Sequence, residues 1–359
     1  MHSATSSKQT PCRGVLALIA ALASSWLLLP SSPLLPSRDG PRAARAGESL
    51  PAAESHRSGL VERLRCWADA DVESGGRWVQ AAAPMYNASS GFYGDDWYRC
   101  RPRGSWDWRP SPRCKEPARP FSREVACALL KGRTILIVGD SLSSEVFLGL
   151  ANALADPAAN ELAAFYDSNS APNALRVCGG ALLLDFVRND RLSLLLNIRV
   201  EERTWYEYPW ATADRVAAAD IVLLNRGAHF EHDGAVLRAV QEALEFIEAA
   251  APDASVVWRT TPRGHLNFEA TFDAAPLTAD LGPGELAALP YNWGQFAAQN
   301  RQIVDLIETR FPKVAVLDVA PALGLRHDLH VDGLHYCLPG PLDHVAHALL
   351  HFLPELLNH

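Results

Sequence analysis

Lysine is scarce in this chain. Lys8, Lys115, Lys131 and Lys313 are its only four among 33 basic residues, and the net charge is -8. A chain without basic excess is poorly suited to a phosphate backbone, so no nucleic-acid partner is expected. No Cys-x-x-Cys pair occurs, which removes the commonest signature of a structural zinc site. No internal repeat is visible. No Gly-x-Ser-x-Gly element occurs at the serine discussed below, where position 143 is Ser143. No apolar run reaches the ~20 residues that an unambiguous spanning helix needs.

What is present begins with a near miss on that last count. Val15 to Leu29 is almost uninterruptedly apolar, and Leu34-Leu35 prolongs the character beyond Pro30 and Pro33. No small-x-small cleavage site follows directly, so residues 15–35 are read as a signal anchor, with a cleaved signal peptide as the alternative. Lys8 and Arg13 before the segment and Arg38, Arg42 and Arg45 after it leave the orientation undecided by charge. Residues 1–14 would be a cytosolic tail. Residues 36–62, rich in Pro, Ser, Ala, Arg and Glu, read as a stem with little to bury.

Cys12 precedes the apolar segment, and Cys66, Cys100, Cys114, Cys127, Cys178 and Cys337 follow it. An even set beyond a hydrophobic segment points to disulfides in an oxidising lumen, with connectivity left open. Asn87-Ala88-Ser89 is a glycosylation acceptor sequence that fits such a compartment. Residues 63–120 hold Trp67, Trp78, Trp97, Trp106 and Trp108 and show no long helical period. They read as an irregular, disulfide-stapled segment packed around aromatics.

From Lys131 onward, strand and helix patterns alternate. Strands are predicted at Thr134–Val138, Ala181–Val187, Leu192–Ile198, Ile221–Leu224, Ser255–Trp258 and Val314–Val319, with Arg188–Arg191 as a turn. Helices are predicted at Ser144–Leu154, Ala235–Ala250, Phe296–Thr309 and Leu342–Leu353. The alternation predicts a three-layer α/β domain over 121–359, built on a parallel sheet covered on both faces. Sites in such sheets lie at the carboxyl ends of the strands, where Ser141, Asn225 and Arg259 fall.

Three segments there carry chemistry. The strand ending in Gly139-Asp140-Ser141 presents a hydroxyl at a strand-to-helix junction, although Ser141 would serve equally as a helix N-cap. Asp332 and His335 supply a carboxylate and an imidazole that one loop can aim at one pocket, the acid and base of a serine triad. Asn225, opening Asn225-Arg226-Gly227-Ala228-His229, and the Ser141 N–H are the candidate oxyanion donors. Arg259, Arg263 and His265 would line an acceptor groove. His327, His330, His335, His344 and His347 cluster, but their loop-like spacing leaves no defined carboxylate ligand, so no metal is expected.

Taken together these blocks resemble the trichome-birefringence-like proteins, the PC-esterase group of the SGNH/GDSL superfamily, over roughly residues 64 to 357. The similar stretches are Gly76–Val79, Cys100 through Trp106–Pro110 to Cys114, Gly139–Ser141, Arg259–His265 and Asp332–Gly340. The resemblance implies a type II Golgi membrane protein with a lumenal SGNH-like domain; a secreted form is the alternative. It implies O-acetyl transfer to polysaccharide hydroxyls through an acyl-serine, with Ser141 as nucleophile, His335 as base and Asp332 as acid. No cofactor is implied beyond an acetyl donor, acetyl-CoA or another carrier. A carbohydrate esterase using the same triad, or a non-catalytic glycan-binding module, are the alternatives. Two departures stand beside the expected pocket. Ser144-Glu145 replaces the group's Arg-Asn or Arg-Gln, and Asn225–Phe230 replaces its Asn-x-Gly-His-Trp-Trp.

Overall fold

The β-branched run at 134–138 sits at the middle of a six-stranded sheet. A computed structural model of the chain describes residues 76–82, 104–112, 114, 122–156, 158–159, 161–162, 173–197, 199–201 and 205–357. The chain divides into Met1–Glu48, outside the described residues, and Ser49–His359, to which everything below refers. The anchor at 15–35, the stem, Cys12, Cys66, Cys100 and Asn87 also lie outside the described residues. Among the described residues no helix is long and apolar enough to cross a membrane.

The elements in chain order are β1 (Arg77–Ala81), β2 (Ser105–Arg109), α1 (Arg123–Leu129), β3 (Thr134–Gly139), α2 (Ser141–Leu154), β4 (Asn173–Val177), β5 (Leu182–Arg188), β6 (Arg199–Glu201), β7 (Trp205–Glu207), α3 (Ala213–Ala217), β8 (Ile221–Leu224), α4 (Asp233–Ala250), β9 (Ser255–Arg259), α5 (Pro283–Ala287), α6 (Phe296–Arg310), β10 (Ala315–Leu317), α7 (Ala320–Gly324), α8 (Asp343–His351) and α9 (Leu353–Leu356). The main sheet has the order β10-β9-β8-β3-β5-β4, and only β4 runs antiparallel.

Side chains alternate along each strand, so the sheet feeds two cores. Ile135 and Ile137 pack on one face with Leu142, Val146 and Leu150 of α2 and Val345 and Leu349 of α8. Leu136 and Val138 pack on the other with Val236, Val240 and Leu244 of α4 and Ile303 and Ile307 of α6. Helices on both faces leave β3 apolar and buried from Ile135 to Val138, as a parallel central strand requires. Each such fully buried aliphatic contributes roughly 1.5–3 kcal/mol relative to exposure.

Two expectations are corrected. Leu192–Asn197, the described part of the expected strand 192–198, is not a strand. Leu192 adopts a φ of 53°. Its neighbours' backbone groups are claimed by side chains instead of a ladder. The Asn189 amide bonds Ser193 N and O, and Trp210 Nε1 donates to Ser193 O. The described part of 63–120 is also more regular than expected. β1 and β2 form an antiparallel pair with Trp78 opposite Trp108, and both rings lie against His344 of α8. Trp78 Nε1 donates to the Ala322 carbonyl at 2.9 Å, and the Arg326 guanidinium stacks over its ring.

Candidate active site

β3 ends in Gly139, where no side chain fits. A Cβ there would lie 2.3 Å from Ser143 Oγ and 2.8 Å from the Asn225 carbonyl. The chain therefore turns tightly into α2. Asp140, not Ser141, is the N-cap, and its Oδ1 accepts from Leu142 N at 3.0 Å. Its Oδ2 accepts from Ala228 N at 3.2 Å, which ties the β8 loop to the same turn. Capping by Asp140 leaves the Ser141 hydroxyl unclaimed by its own helix.

That hydroxyl meets an imidazole. Ser141 Oγ lies 2.7 Å from His335 Nε2, and His335 Nδ1 lies 2.7 Å from Asp332 Oδ2. The other Asp332 oxygen, Oδ1, accepts from the backbone N–H of His335 at 2.8 Å and of Leu334 at 3.0 Å. The carboxylate thus shapes the turn that carries its partner. Burial raises the Asp332 pKa, but the bonds and charge from His335 and the two N–H groups outweigh it. The net result is a carboxyl below its ordinary value, charged at neutral pH. The pattern also fixes the tautomer: Nδ1 carries the proton and Nε2 is free to accept one from Ser141. Gly333 inside the loop has φ of 90°, and a Cβ there would meet the His265 carbonyl at 2.9 Å.

Other expected site residues have different places. Asn225 Nδ2 donates to the Arg259 carbonyl at 2.9 Å and to Thr261 Oγ1 at 2.8 Å. Both amide hydrogens are occupied, so an oxyanion role for this side chain is corrected; it braces β8 against β9. The Ser141 N–H stands at the first turn of α2.

Arg259, Arg263 and His265 do not line a groove, since all three are buried. Arg259 donates to Ser143 Oγ at 3.3 Å and lies near the Asp140 and Glu145 carboxyls; desolvation brings it down to about 10. Arg263 pairs with Asp280. His265 Nε2 lies 2.9 Å from the Gly324 carbonyl and its Nδ1 lies 2.9 Å from His330 Nε2. The His265 N–H donates to Gly333 O at 2.7 Å, and His330 Nδ1 lies 3.2 Å from the His335 carbonyl. This block underpins the Asp332–His335 loop from below. Arginine and histidine in a loop after a strand look solvated in sequence, and only burial shows otherwise.

Sequence reading also missed a cluster on the β5 and β8 loops. Arg188 and Asp190 form a buried pair at 2.9 Å, and His229 Nε2 lies 3.3 Å from Asp190 Oδ2. Trp205 packs edge-on to His229 and carries Arg191 over its face. The alternation of the departing block Asn225–Phe230 was visible, but not its partner ten or more residues before β7. Among the described residues no group of His, Cys, Asp or Glu could hold a metal ion.

Cys127 and Cys178 are disulfide-bonded, joining α1 to the turn after β4. Cys114 and Cys337 are each in a disulfide too.

Fold and site define an α/β protein with serine, histidine and aspartate side chains in hydrogen-bond contact at the carboxyl edge of a mostly parallel sheet. No family model matches the chain, and no curated protein matches it. Solved structures give distant likenesses. The periplasmic domain of a lipopolysaccharide acetyltransferase from Salmonella ser. Paratyphi A is 12% identical, with 65% of this chain and 88% of that chain covered, at a TM-score of 0.36. A carbohydrate esterase family 2 enzyme with a carbohydrate-binding domain from Corynascus thermopiles is 14% identical over 71% and 72%, at 0.37. A peptidoglycan O-acetylesterase is 9% identical over 77% and 99%, at 0.35. Likenesses this distant decide neither reaction nor substrate, and the chemistry is read from the site.

Proposed function

We propose that the protein is an O-acetyltransferase that moves acetyl groups to glycan hydroxyls through an acyl-Ser141 intermediate. The observation that carries the reading is the pair of 2.7 Å contacts joining Ser141, His335 and Asp332 in the order a relay requires. The resemblance of residues 64–357 to the PC-esterase group supports the acetyl group and the glycan.

In the first half-reaction Ser141 Oγ attacks the acetyl carbonyl carbon while its proton passes to His335 Nε2. Asp332 offsets the imidazolium charge. The tetrahedral oxyanion is met by the Ser141 N–H. Collapse breaks the bond to the donor, and His335 returns the proton to the leaving group. In the second half-reaction a sugar hydroxyl takes the donor's place. It loses its proton to His335, attacks the acyl-serine, and the proton ends on Ser141 Oγ. Atoms and protons balance with no oxidant or metal. The acetyl donor is acetyl-CoA or another acetyl carrier.

Hydrolysis is the second reading, favoured by one observation. The Asp332 side chain is 39% exposed, so water reaches the acid end of the relay. A transferase must exclude water from the acyl-enzyme while admitting a hydroxyl. Residues 15–35 serve in this reading as a single-pass anchor holding residues 121–359 in the Golgi lumen. The bonded state of Cys127, Cys178, Cys114 and Cys337 supports an oxidising compartment.

The deciding experiment incubates the full chain with a labelled acetyl donor and a panel of glycans. Labelled glycan supports transfer. Free acetate alone supports the esterase. Glycan binding with neither product sinks both and leaves a binding module.

A further inference from the structure

α2 carries a second functional group besides Ser141. Glu145 lies four residues on, so the two side chains stand one turn apart on the same face. Its side chain is wholly buried. Oε2 accepts from the backbone N–H of Tyr336 at 3.1 Å, and Tyr336 directly follows His335. Oε1 has no hydrogen-bond partner among the described residues. A buried carboxyl is costly to keep, and packing alone would be better served by an apolar side chain. Its neighbours are all parts of the site: Asp332 in the loop, Asp140 at the cap and Arg259 beneath Ser143. Burial, added to by the Asp332 and Asp140 charges, holds it protonated well above the usual carboxyl range, against the pull of the Tyr336 N–H and Arg259. A neutral group with an accepting oxygen is what the Tyr336 N–H needs there.

The contacts close a ring. The path runs from Ser141 along one turn of α2 to Glu145, across 3.1 Å to Tyr336, back one residue to His335, and across 2.7 Å to Ser141. We propose that Glu145 is a positioning residue: its hydrogen bond to Tyr336 registers the Asp332–His335 loop on the helix that bears Ser141 and so sets the Ser141–His335 distance. This rests on the acyl-serine reading but not on the identity of the acceptor. Tyr336 is suited to pass the constraint on. It is fully buried, its hydroxyl donates to Leu323 O at 3.2 Å, and its ring lies against His330. The loop therefore has little freedom to drift except about the Glu145 contact.

The test measures full-chain variants with two probes that need only the relay. One is labelling of Ser141 by a fluorophosphonate, in which the serine oxygen bonds phosphorus and fluoride leaves. The other is turnover of a chromogenic aryl acetate, resolved into kcat and KM. E145Q keeps an accepting oxygen at the same reach and should label and turn over within about threefold of the parent. E145L removes the acceptor at similar volume, and E145D keeps the acid but withdraws it by one methylene. Both should lower kcat and labelling rate about 100-fold, the cost of roughly an ångström of misplacement, with KM little changed. Should E145L fail to fold, the E145Q–E145D pair carries the decision. Parent-like kcat in folded E145D or E145L overturns the proposal. So does an E145Q as impaired as E145D, because charge and not the bond would then matter. S141A separates the two readings. A parent that labels no better than S141A removes the acyl-serine reading, and with it any relay to position. A parent that labels at Ser141 but acetylates no glycan leaves the positioning role standing.

Discussion

At the level of single residues, the relay makes the sharpest prediction. S141A and H335A should each lower turnover by roughly 10³–10⁶-fold, and the double variant should be little worse than either, because the groups act as a unit. D332N should cost about 10⁴-fold, since an amide cannot hold Nδ1 protonated and Nε2 free. Steady-state turnover with circular dichroism as a folding control checks all three; near-parent S141A would remove the nucleophile assignment. These residues were legible in sequence because their signals are local. An apolar run stopping at Gly139-Asp140-Ser141 announces a strand-to-helix turn, and Asp332 and His335 are three positions apart. Asn225, Arg259, Arg263 and His265 were misread for one reason. Their neighbourhood in sequence is polar, but their partners, Thr261, Ser143, Asp280 and His330, come from the tertiary fold. A buried arginine with a buried partner looks the same in sequence as a solvated one. Glu145 was visible as a departure, but its role required knowing that Tyr336 lies above it.

Among elements, the loop after β9 and the helix α8 carry histidines that burial keeps neutral. His265 is lowered to about 2 by burial and by His330 and Arg263 beside it. His347 is lowered to about 4 by burial and by His351, and His344 well below its ordinary value by burial and by His347. These rings bind protons more weakly folded than unfolded. Their contribution to stability is whole above the ordinary histidine value of 6.5 and is lost as pH falls below it. Each costs up to about 1.4 kcal/mol per pH unit in that window. Glu145 works the other way, because the fold holds its proton above the value of 4.5 that the free carboxyl has. Burial lowers His330 to about 3 as well, and these four rings outweigh the three buried carboxyls Glu145, Asp185 and Asp190 in that window, so the denaturation midpoint should drop between pH 7 and pH 5. H347Q should flatten the slope, and an unchanged slope would show that His347 is not neutral when folded. The β1–β2 pair gives a second expectation. Trp78→Ala removes a ring packed on Trp108, His344 and Arg326 and a bond to Ala322, and should cost roughly 3 kcal/mol in equilibrium unfolding. The longer helices α2, α4, α6 and α8 and the parallel strands were legible because periodicity survives in sequence. The Leu192–Asn197 loop was not, because its apolar residues match a strand while Ser193 bonds the Asn189 amide and the Trp210 indole.

For the molecule as a whole, one cross-link ties α1 to the turn after the edge strand β4. The Cys127–Cys178 bridge closes 51 residues, and C127S should lower stability by about 2–4 kcal/mol while leaving relay geometry intact. Unfolding curves of C127S beside turnover on an aryl acetate check this; a large loss of kcat in a folded variant would tie the bridge to the site. The parallel topology also spreads the site along the chain. Ser141 and His335 are separated by 194 residues. A ribosome adding about 5–20 residues per second leaves an interval of roughly 10–40 s between them. Throughout that interval the emerging chain can form β3 and α2 and display Ser141, yet the serine has no base within reach and remains an ordinary alcohol. On the acyl-serine proposal, the hydroxyl gains its base only once the Asp332–His335 loop has folded against α2. If Ser141 is the nucleophile we propose, truncation before residue 335 removes its base and should leave it inert toward acyl groups.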